Sequence, residues 1–165
     1  MTRSLITASR YLRALLAAAL TVAAVTCAGV TLAKTQPPAE IVKERQQELK
    51  KLGAALKLIR DELRGGAPEP TKIRAAASDI TRAASAIDSW FPTGTGPDAG
   101  VKTDAKAEIW TDAAGFAAAR ETFVREANRW AQLGSNGDVT SWSEAATSLG
   151  QSCKGCHDKF RVKRE

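Results

Sequence analysis

Histidine, methionine and cysteine are scarce in this chain of 165 residues. It has a single histidine, His157, and a single methionine, Met1. Of its three cysteines, Cys153 and Cys156 stand beside the histidine. A structural zinc ion takes four protein ligands, mostly cysteine and histidine. These three residues would leave such an ion one ligand short, which argues against a structural zinc site.

Alternation of polar and apolar residues is also missing. No segment of useful length repeats with the period of two that a half-buried strand requires. Strands are therefore not expected, and the fold has to be predicted from helical periodicity.

A long uncharged run is present at the N-terminus. Residues 14–33 carry no charge and follow Arg3, Arg10 and Arg13, which is the layout of a secretory signal peptide. The run ends in small residues, so we expect cleavage after Ala33. A retained membrane anchor is the alternative, because the run is just long enough to cross a bilayer. Either fate exports the rest of the chain, since the arginines stay on the cytoplasmic side.

The exported part, residues 34–165, is nearly balanced in charge. Three of the 24 basic residues lie in the signal, which leaves 21 against 18 acidic ones and a net charge of +3. Such a balance, interspersed along helices, does not predict a nucleic-acid partner. Cys27 belongs to the discarded segment, and we expect no stable membrane contact once the signal is removed.

The first two of four amphipathic segments precede residue 92. The first carries a stripe at spacings of three and four and ends at Gly65-Gly66. Its stripe consists of Val42, Arg45, Leu49, Leu52, Leu56, Ile59 and Leu63. The second starts near Thr71 and ends at Phe91-Pro92. Its buried positions are Ile73, Ala77, Ile80, Ala84, Ile87 and Phe91.

Two further segments follow a turn-rich crossover at about residues 92–106. The third helix should start near residues 110–112, end at 134–137, and bury Ala113, Phe116, Phe123, Ala127 and Trp130. The fourth should start at a capping box of Ser141 with Glu144. Its inward face holds Trp142, Ala146, Leu149, Cys153, Cys156 and Phe160. The sequence thus predicts an all-α protein, an antiparallel four-helix bundle.

The motif Cys153-Lys154-Gly155-Cys156-His157 carries the chemistry. It is typical of c-type haem, in which two thiols bond to the haem and the adjacent imidazole binds iron. At helical spacings of three and four, both sulfurs and the imidazole share one face. A thioredoxin-like redox pair would need a preceding strand, and a disulfide within a regular helix is awkward to close. We therefore predict one covalent haem c near the C-terminus.

The second axial position of that iron lacks an obvious ligand. Electron-transfer haems use a methionine or a second histidine there, and residues 34–165 contain neither. Water, a lysine or no ligand at all remain. We expect a five-coordinate, high-spin iron under an apolar lid.

Over essentially the whole exported region the chain resembles class II c-type cytochromes of the cytochrome c′ type. Three stretches carry the resemblance, namely residues 45–53, Glu108-Ile109-Trp110 with Phe116 and Phe123, and residues 153–161. The family implies a four-helix bundle with its haem motif near the C-terminus. Its members are often dimers through their first two helices, so a homodimer is implied as an option.

The resemblance also assigns individual residues. It places Leu49 over the distal side of the iron, where low-spin relatives have methionine. Arg45 matches an arginine that pairs with a haem propionate, although it could be a surface arginine lying along the helix. Arg161 matches a proximal-side arginine, although it could simply be a cation at the helix end. Phe160 departs from the tyrosine that relatives often have.

Function follows from the open axial site. Relatives of this type bind nitric oxide and carbon monoxide and discriminate against dioxygen. Our first hypothesis is a periplasmic haem protein of the electron-transfer class that binds these gases and has an unidentified redox partner, which basic surface suggests is acidic. The alternative is a simple one-electron carrier with water or a lysine, Lys50 or Lys51, as sixth ligand. An enzymatic function is not expected, because no acid or base lies near Leu49 on the stripe.

Overall fold

The computed structural model describes residues 36–133 and 137–163. The predicted signal peptide, its cleavage site and Cys27 lie outside these residues. Within the described ranges, no helix combines the length and hydrophobicity needed to cross a membrane.

Five helices and two 3₁₀ turns make up the regular structure of the described ranges. Helices α1 and α2 each begin at a proline, whose missing N–H costs nothing at that position, and α1 ends where Gly65 donates its N–H to the carbonyls of Asp61 and Glu62. The helices are α1 (Pro38–Arg64), α2 (Pro70–Ala86), α3 (Glu108–Thr111), α4 (Ala113–Leu133) and α5 (Val139–Phe160). The 3₁₀ turns are Ile87–Trp90 and Pro97–Ala99.

The four long helices form a closed ring of neighbours. Helix α1 packs against α2, α2 against α4, α4 against α5, and α5 against α1. This is the predicted four-helix bundle, with the long crossover at residues 91–107 between its second and third long helices. The backbone beyond α5 pairs with the end of the crossover: the N–H of Lys106 donates to the carbonyl of Phe160 at 3.0 Å, and that of Val162 to Asp104 at 2.8 Å.

One apolar cluster, here called the main core, fills most of the bundle. Its members are mainly alanine and aliphatic side chains, and the alanines allow close approach of the helices. Ile59, Ile73, Ile80, Ala127 and Trp130 lie at its centre with 0% of their surface exposed. Leu52 and Cys153 pack against its margin.

A second, smaller cluster lies where the crossover meets α5. It is here called the aromatic cluster and consists of buried Ile109, Phe116 and Phe160 with half-buried Phe91, Trp110 and Cys156 packed against them. Edge-to-face contacts link three of its rings: the ring centroids of Phe160 and Phe116 are 5.2 Å apart, and those of Phe116 and Phe91 are 5.0 Å apart. The crossover and the closing helix are thereby joined by aromatic packing.

Two local predictions were wrong. Asp138 caps the N-terminus of helix α5. Its carboxylate accepts the N–H of Ser141 at 2.7 Å, and the Ser141 hydroxyl accepts the N–H of Asp138 at 3.0 Å. Ser141 therefore sits at the third helical position rather than at the cap, because the Asp138 carboxylate is the better-placed acceptor. In α4, Ala113 is exposed rather than inward, because the short helix α3 ends at Asp112 and α4 starts in a new phase.

Candidate haem site

Helix α5 presents the two cysteines of the motif to two different apolar surroundings. Both thiols are half-buried and unpaired. Cys153 packs against the main core, and Cys156 against the aromatic cluster. Their sulfurs thus lie at the boundary between the two clusters, on one side of a regular helix.

Burial keeps both thiols protonated before they react. It raises the pKa of Cys153 above its usual value. For Cys156, burial and the neighbouring Cys153 raise the pKa to about 11. Neither thiol is therefore an activated nucleophile of the thioredoxin type, which requires a lowered pKa.

His157 occupies the solvent edge of the same helix. His157 is exposed, whereas Cys153 and Cys156 are half-buried. The two cysteines therefore face the bundle more than the imidazole does. The pKa of His157 is lowered, first by desolvation and then by the nearby positive charge of Arg161. A lowered pKa favours the neutral imidazole, which is the form that binds metal.

A cleft of about 370 Å³ opens beside Cys156 between α4 and α5. Small and polar side chains line it. They are Ala119, Thr122, Glu126, Ser148, Gln151, Ser152, Gly155 and Cys156. The cleft therefore lies on the side of α5 that carries the second cysteine.

Leu49 lies on α1 at the end of the main core. Leu56 is buried in that core and Leu52 packs against it, whereas half-buried Leu49 belongs to neither apolar cluster. Leu49 is therefore a large aliphatic side chain on the inward stripe that neither apolar cluster includes.

Arg45, one turn before Leu49, is buried with 2% of its surface exposed. Its Nη1 donates to the carbonyl of Trp90 at 3.2 Å and to Oγ1 of Thr95 at 3.1 Å. Its Nη2 donates to the carbonyl of Thr95 at 3.0 Å and to Oγ1 of Thr103 at 3.1 Å. The surface-arginine interpretation is therefore wrong. All four acceptors are uncharged, so they satisfy the donors without neutralising the charge, and desolvation lowers the pKa of Arg45.

Arg161 follows the last turn of α5. Its side chain is 46% exposed and lies 3.7 Å from a carboxylate oxygen of Asp104, and its N–H donates to the carbonyl of His157 at 3.1 Å. The charge of Arg161 is near enough to act on the His157 imidazole. Both interpretations of Arg161, a proximal-side cation and a helix-end cation, fit this position.

The aromatic residues divide between the two clusters. Trp110, Phe116 and Phe160 belong to the aromatic cluster, and Phe123, Trp130 and Trp142 belong to the main core. Sequence reasoning missed Thr95 and Thr103 as partners of Arg45. The position of Arg45 on an apolar stripe indicated that it needs hydrogen-bond acceptors. Nothing in the sequence indicated which loop supplies those acceptors.

The arrangement fits a covalently attached haem. Two unpaired cysteines flank a boundary between apolar clusters, a cleft adjoins one of them, a histidine follows at the next position, and a buried cation lies nearby on α1. Within residues 36–133 and 137–163, no group of three histidine, cysteine or carboxylate side chains could hold a bare metal ion. A haem needs only one protein ligand to its iron, which His157 could supply.

Comparison with known proteins leads to the same cofactor. A family model described as cytochrome c′ matches residues 40–161. The cytochrome c′ of Rubrivivax gelatinosus is 31% identical over 78% of this chain and 98% of its own length, and that of Pararhodospirillum photometricum is 34% identical over 75% and 98%.

Solved structures agree with the sequence relatives. The crystal structure of the Rubrivivax gelatinosus protein has 29% identity and a TM-score of 0.70, covering 76% of this chain and 98% of that one. A nitric oxide complex of a variant cytochrome c′ from Alcaligenes xylosoxidans has 27% identity and a TM-score of 0.69, covering 77% and 97%. This chain therefore belongs to the cytochrome c′ family, whose members bind one covalent haem c.

Proposed function

We propose that this chain is an exported, periplasmic haem protein with a five-coordinate, high-spin iron that binds nitric oxide or carbon monoxide at its open axial position. Cys153 and Cys156 form the thioethers, and His157 is the protein ligand to iron. When bound, the haem supplies an iron that exchanges one electron and binds diatomic gases. The formal class is electron transfer, with an unidentified redox partner.

The observation that carries this proposal is the position of Leu49. It lies on the inward stripe of α1 and belongs to neither apolar cluster. A leucine has no atom that can ligate iron, so a lid formed by it leaves the distal position without a protein ligand. The lone histidine of the chain is already assigned to the other face.

Gas selection follows from the chemistry of such a lid. An apolar side chain excludes charged and bulky ligands and admits small neutral ones. Bound dioxygen carries partial negative charge and is stabilised by a distal hydrogen-bond donor, which a leucine does not offer. Nitric oxide complexes are known for variants of the Alcaligenes xylosoxidans relative, and we extend that ability to this chain.

Two arginines complete the proposed site. Arg45 has used four of its five N–H donors on the crossover, so its Nε–H remains for a haem propionate. The uncompensated charge of its guanidinium favours an anionic group nearby. Arg161 lies close enough to His157 to act on a ligand that approaches from the proximal side.

The one-electron carrier alternative has water or a lysine as sixth ligand, and the positions of the two candidate lysines do not favour the lysine form. Lys51 is bound to Glu48 with 2.6 Å between Nζ and Oε1, and its side chain is 65% exposed. Lys50 is also exposed. Both would have to leave the solvent and cross the stripe to reach the Leu49 side.

A homodimer is part of the proposal. One related structure is a cytochrome c′ with ligand-controlled dimer dissociation, and Leu58 of α1 is among the exposed large apolar side chains of this chain. Sedimentation velocity of the reduced protein, with and without carbon monoxide, tests this point. A monomer at every protein concentration and in both states would contradict it.

Visible absorption spectra of the purified protein test the main proposal. They should be recorded for the oxidised and the reduced states, before and after addition of carbon monoxide. We expect a high-spin spectrum whose reduced form shifts on addition of the gas. A low-spin spectrum that ignores carbon monoxide would overturn the proposal and identify an electron carrier with an occupied sixth position.

A further inference from the structure

The guanidinium of Arg45 joins helix α1 to the crossover. Its four hydrogen bonds end on Trp90, Thr95 and Thr103, which lie 45 to 58 residues further along the chain. Thr95 is itself buried, with 1% of its surface exposed, and supplies two of the four acceptors. Arginine suits this position because its planar fork fixes the directions of its donors.

Two aromatic rings also pack beside the guanidinium at the same part of the crossover. Its central carbon lies 4.8 Å from the ring centroid of Phe91 and 5.9 Å from that of Trp110. The indole N–H of Trp110 donates to the carbonyl of Phe91 at 3.1 Å. A β-carbon at Gly96 would lie 3.0 Å from the Trp110 ring, so the backbone of the crossover lies close to that ring at Gly96.

Leu49 stands one turn beyond Arg45 on the same face of α1. Residues four apart on a helix are neighbours, and their side chains move with the same turn of backbone. Whatever holds Arg45 therefore also restricts the turn that carries Leu49. The crossover is a long segment with little regular structure of its own, so it relies on such contacts for its order.

We propose that Arg45 is a positioning residue that clamps the crossover to α1 through Thr95 and Thr103, and that this clamp sets how readily Leu49 moves aside for an incoming gas molecule. The inference rests on the proposed function, since it concerns the rate of ligand entry at the open axial site. It differs from a propionate contact, which would use only the Nε–H.

The test replaces the two threonine hydroxyls. Thr95→Val and Thr103→Val are nearly isosteric and are combined in a double variant. Thr93→Val serves as the matched control, because Thr93 lies in the same crossover and is exposed. Each holoprotein is examined by amide hydrogen exchange over residues 93–104 and by the rate of carbon monoxide association after flash photolysis.

We expect the double variant to exchange faster over residues 93–104 and to bind carbon monoxide at least about twofold faster than the Thr93→Val control, the lower end of the coupling seen in shared hydrogen-bond networks. Arg45→Lys should show the same acceleration. It keeps the positive charge for a propionate but lacks the planar fork that reaches all the acceptors.

Equal association rates in the double variant and the control would overturn the inference, whether or not hydrogen exchange changed, because the clamp would then not reach Leu49. Wild-type rates in Arg45→Lys would overturn it as well, since charge alone would suffice. A wild-type protein that forms no carbon monoxide complex would instead refute the proposed function, and this inference with it. The two failures are therefore distinguishable.

Discussion

The main core and the aromatic cluster differ in the side chains that form them and in how deeply those side chains are buried. The main core is built mainly from alanine and aliphatic residues with three aromatic side chains among them, and its central members have no exposed surface. The aromatic cluster has three buried members, of which Phe116 and Phe160 are rings, and its surrounding residues are only partly buried. The nearby cation Arg45 is held by hydrogen bonds to a loop rather than by apolar packing alone.

The difference indicates which apolar region is packed by protein side chains alone and which one has room for a further group. The centre of the main core is filled by fully buried side chains that pack on one another. Half-buried Cys156 packs against the aromatic cluster and also lines a cleft, whereas Cys153 packs against the main core and Leu49 belongs to neither cluster. We infer that the haem completes this second region, so variants in the two regions should affect different properties.

The largest effect is expected from removal of both thioether sites. In Cys153→Ala with Cys156→Ala, no thiol remains in residues 34–165 to bond to the haem, so the denatured exported chain should have the mass of the polypeptide alone. Mass spectrometry after acid denaturation measures this. The single variant Cys153→Ala is the control and should retain haem through one thioether. Haem still attached to the double variant would contradict the assignment.

A change in the main core should lower stability without changing the haem. Ile80 is fully buried at the centre of that core, so Ile80→Ala should reduce the free energy of unfolding by about 2–5 kcal/mol through lost burial and a cavity. Urea unfolding measures the loss, and visible spectra of the folded variant should match the wild type. Ile80→Val, expected to lose about 0.5–1.5 kcal/mol, is the graded control. An altered spectrum in either variant would mean that the two regions are not independent.

The smallest effect is expected at the start of α5, far along the helix from the motif. Hydrogen bonds from Ser141 lower the pKa of the Asp138 carboxyl. A carboxyl whose pKa is lower in the folded chain adds stability above its unfolded pKa of about 3.9 and loses it as the pH falls through the folded value. Asp138→Asn should therefore be slightly less stable than the wild type at pH 7, and the two should converge in acid.

Urea midpoints at neutral and acidic pH measure that difference. Asp138→Ala, which lacks a capping acceptor, should be less stable than Asp138→Asn at neutral pH. A gap between wild type and Asp138→Asn that widened as the pH fell would contradict the assigned direction.

The helical architecture was largely predictable from residue spacing. The stripe of α1 places Val42, Arg45, Leu56 and Ile59 in buried positions, because apolar residues at spacings of three and four define one helical face. The haem motif could also be recognised locally, because the two cysteines that we propose to attach the haem and the histidine that we propose to bind its iron lie within residues 153–157. Local information sufficed for both.

Features that depend on distant or competing contacts were not predictable. The N-cap of α5 is Asp138 and not Ser141. Both side chains can accept the capping hydrogen bond, and only the backbone geometry determines which of the two does so. The partners of Arg45 belong to a loop about 50 residues away. Helical periodicity does not specify the path of that loop. The exposure of His157 likewise depends on how the end of α5 meets the crossover.

The most direct test of the account is the visible spectrum of the oxidised Leu49→Met protein. If Leu49 covers an open axial position, the new thioether should ligate the iron and convert it from high spin toward low spin. Leu52→Met is the matched control, because Leu52 packs against the main core one turn further along α1, and its spectrum should stay high-spin. A Leu49→Met spectrum identical to that of the wild type would contradict the placement of Leu49 over the haem.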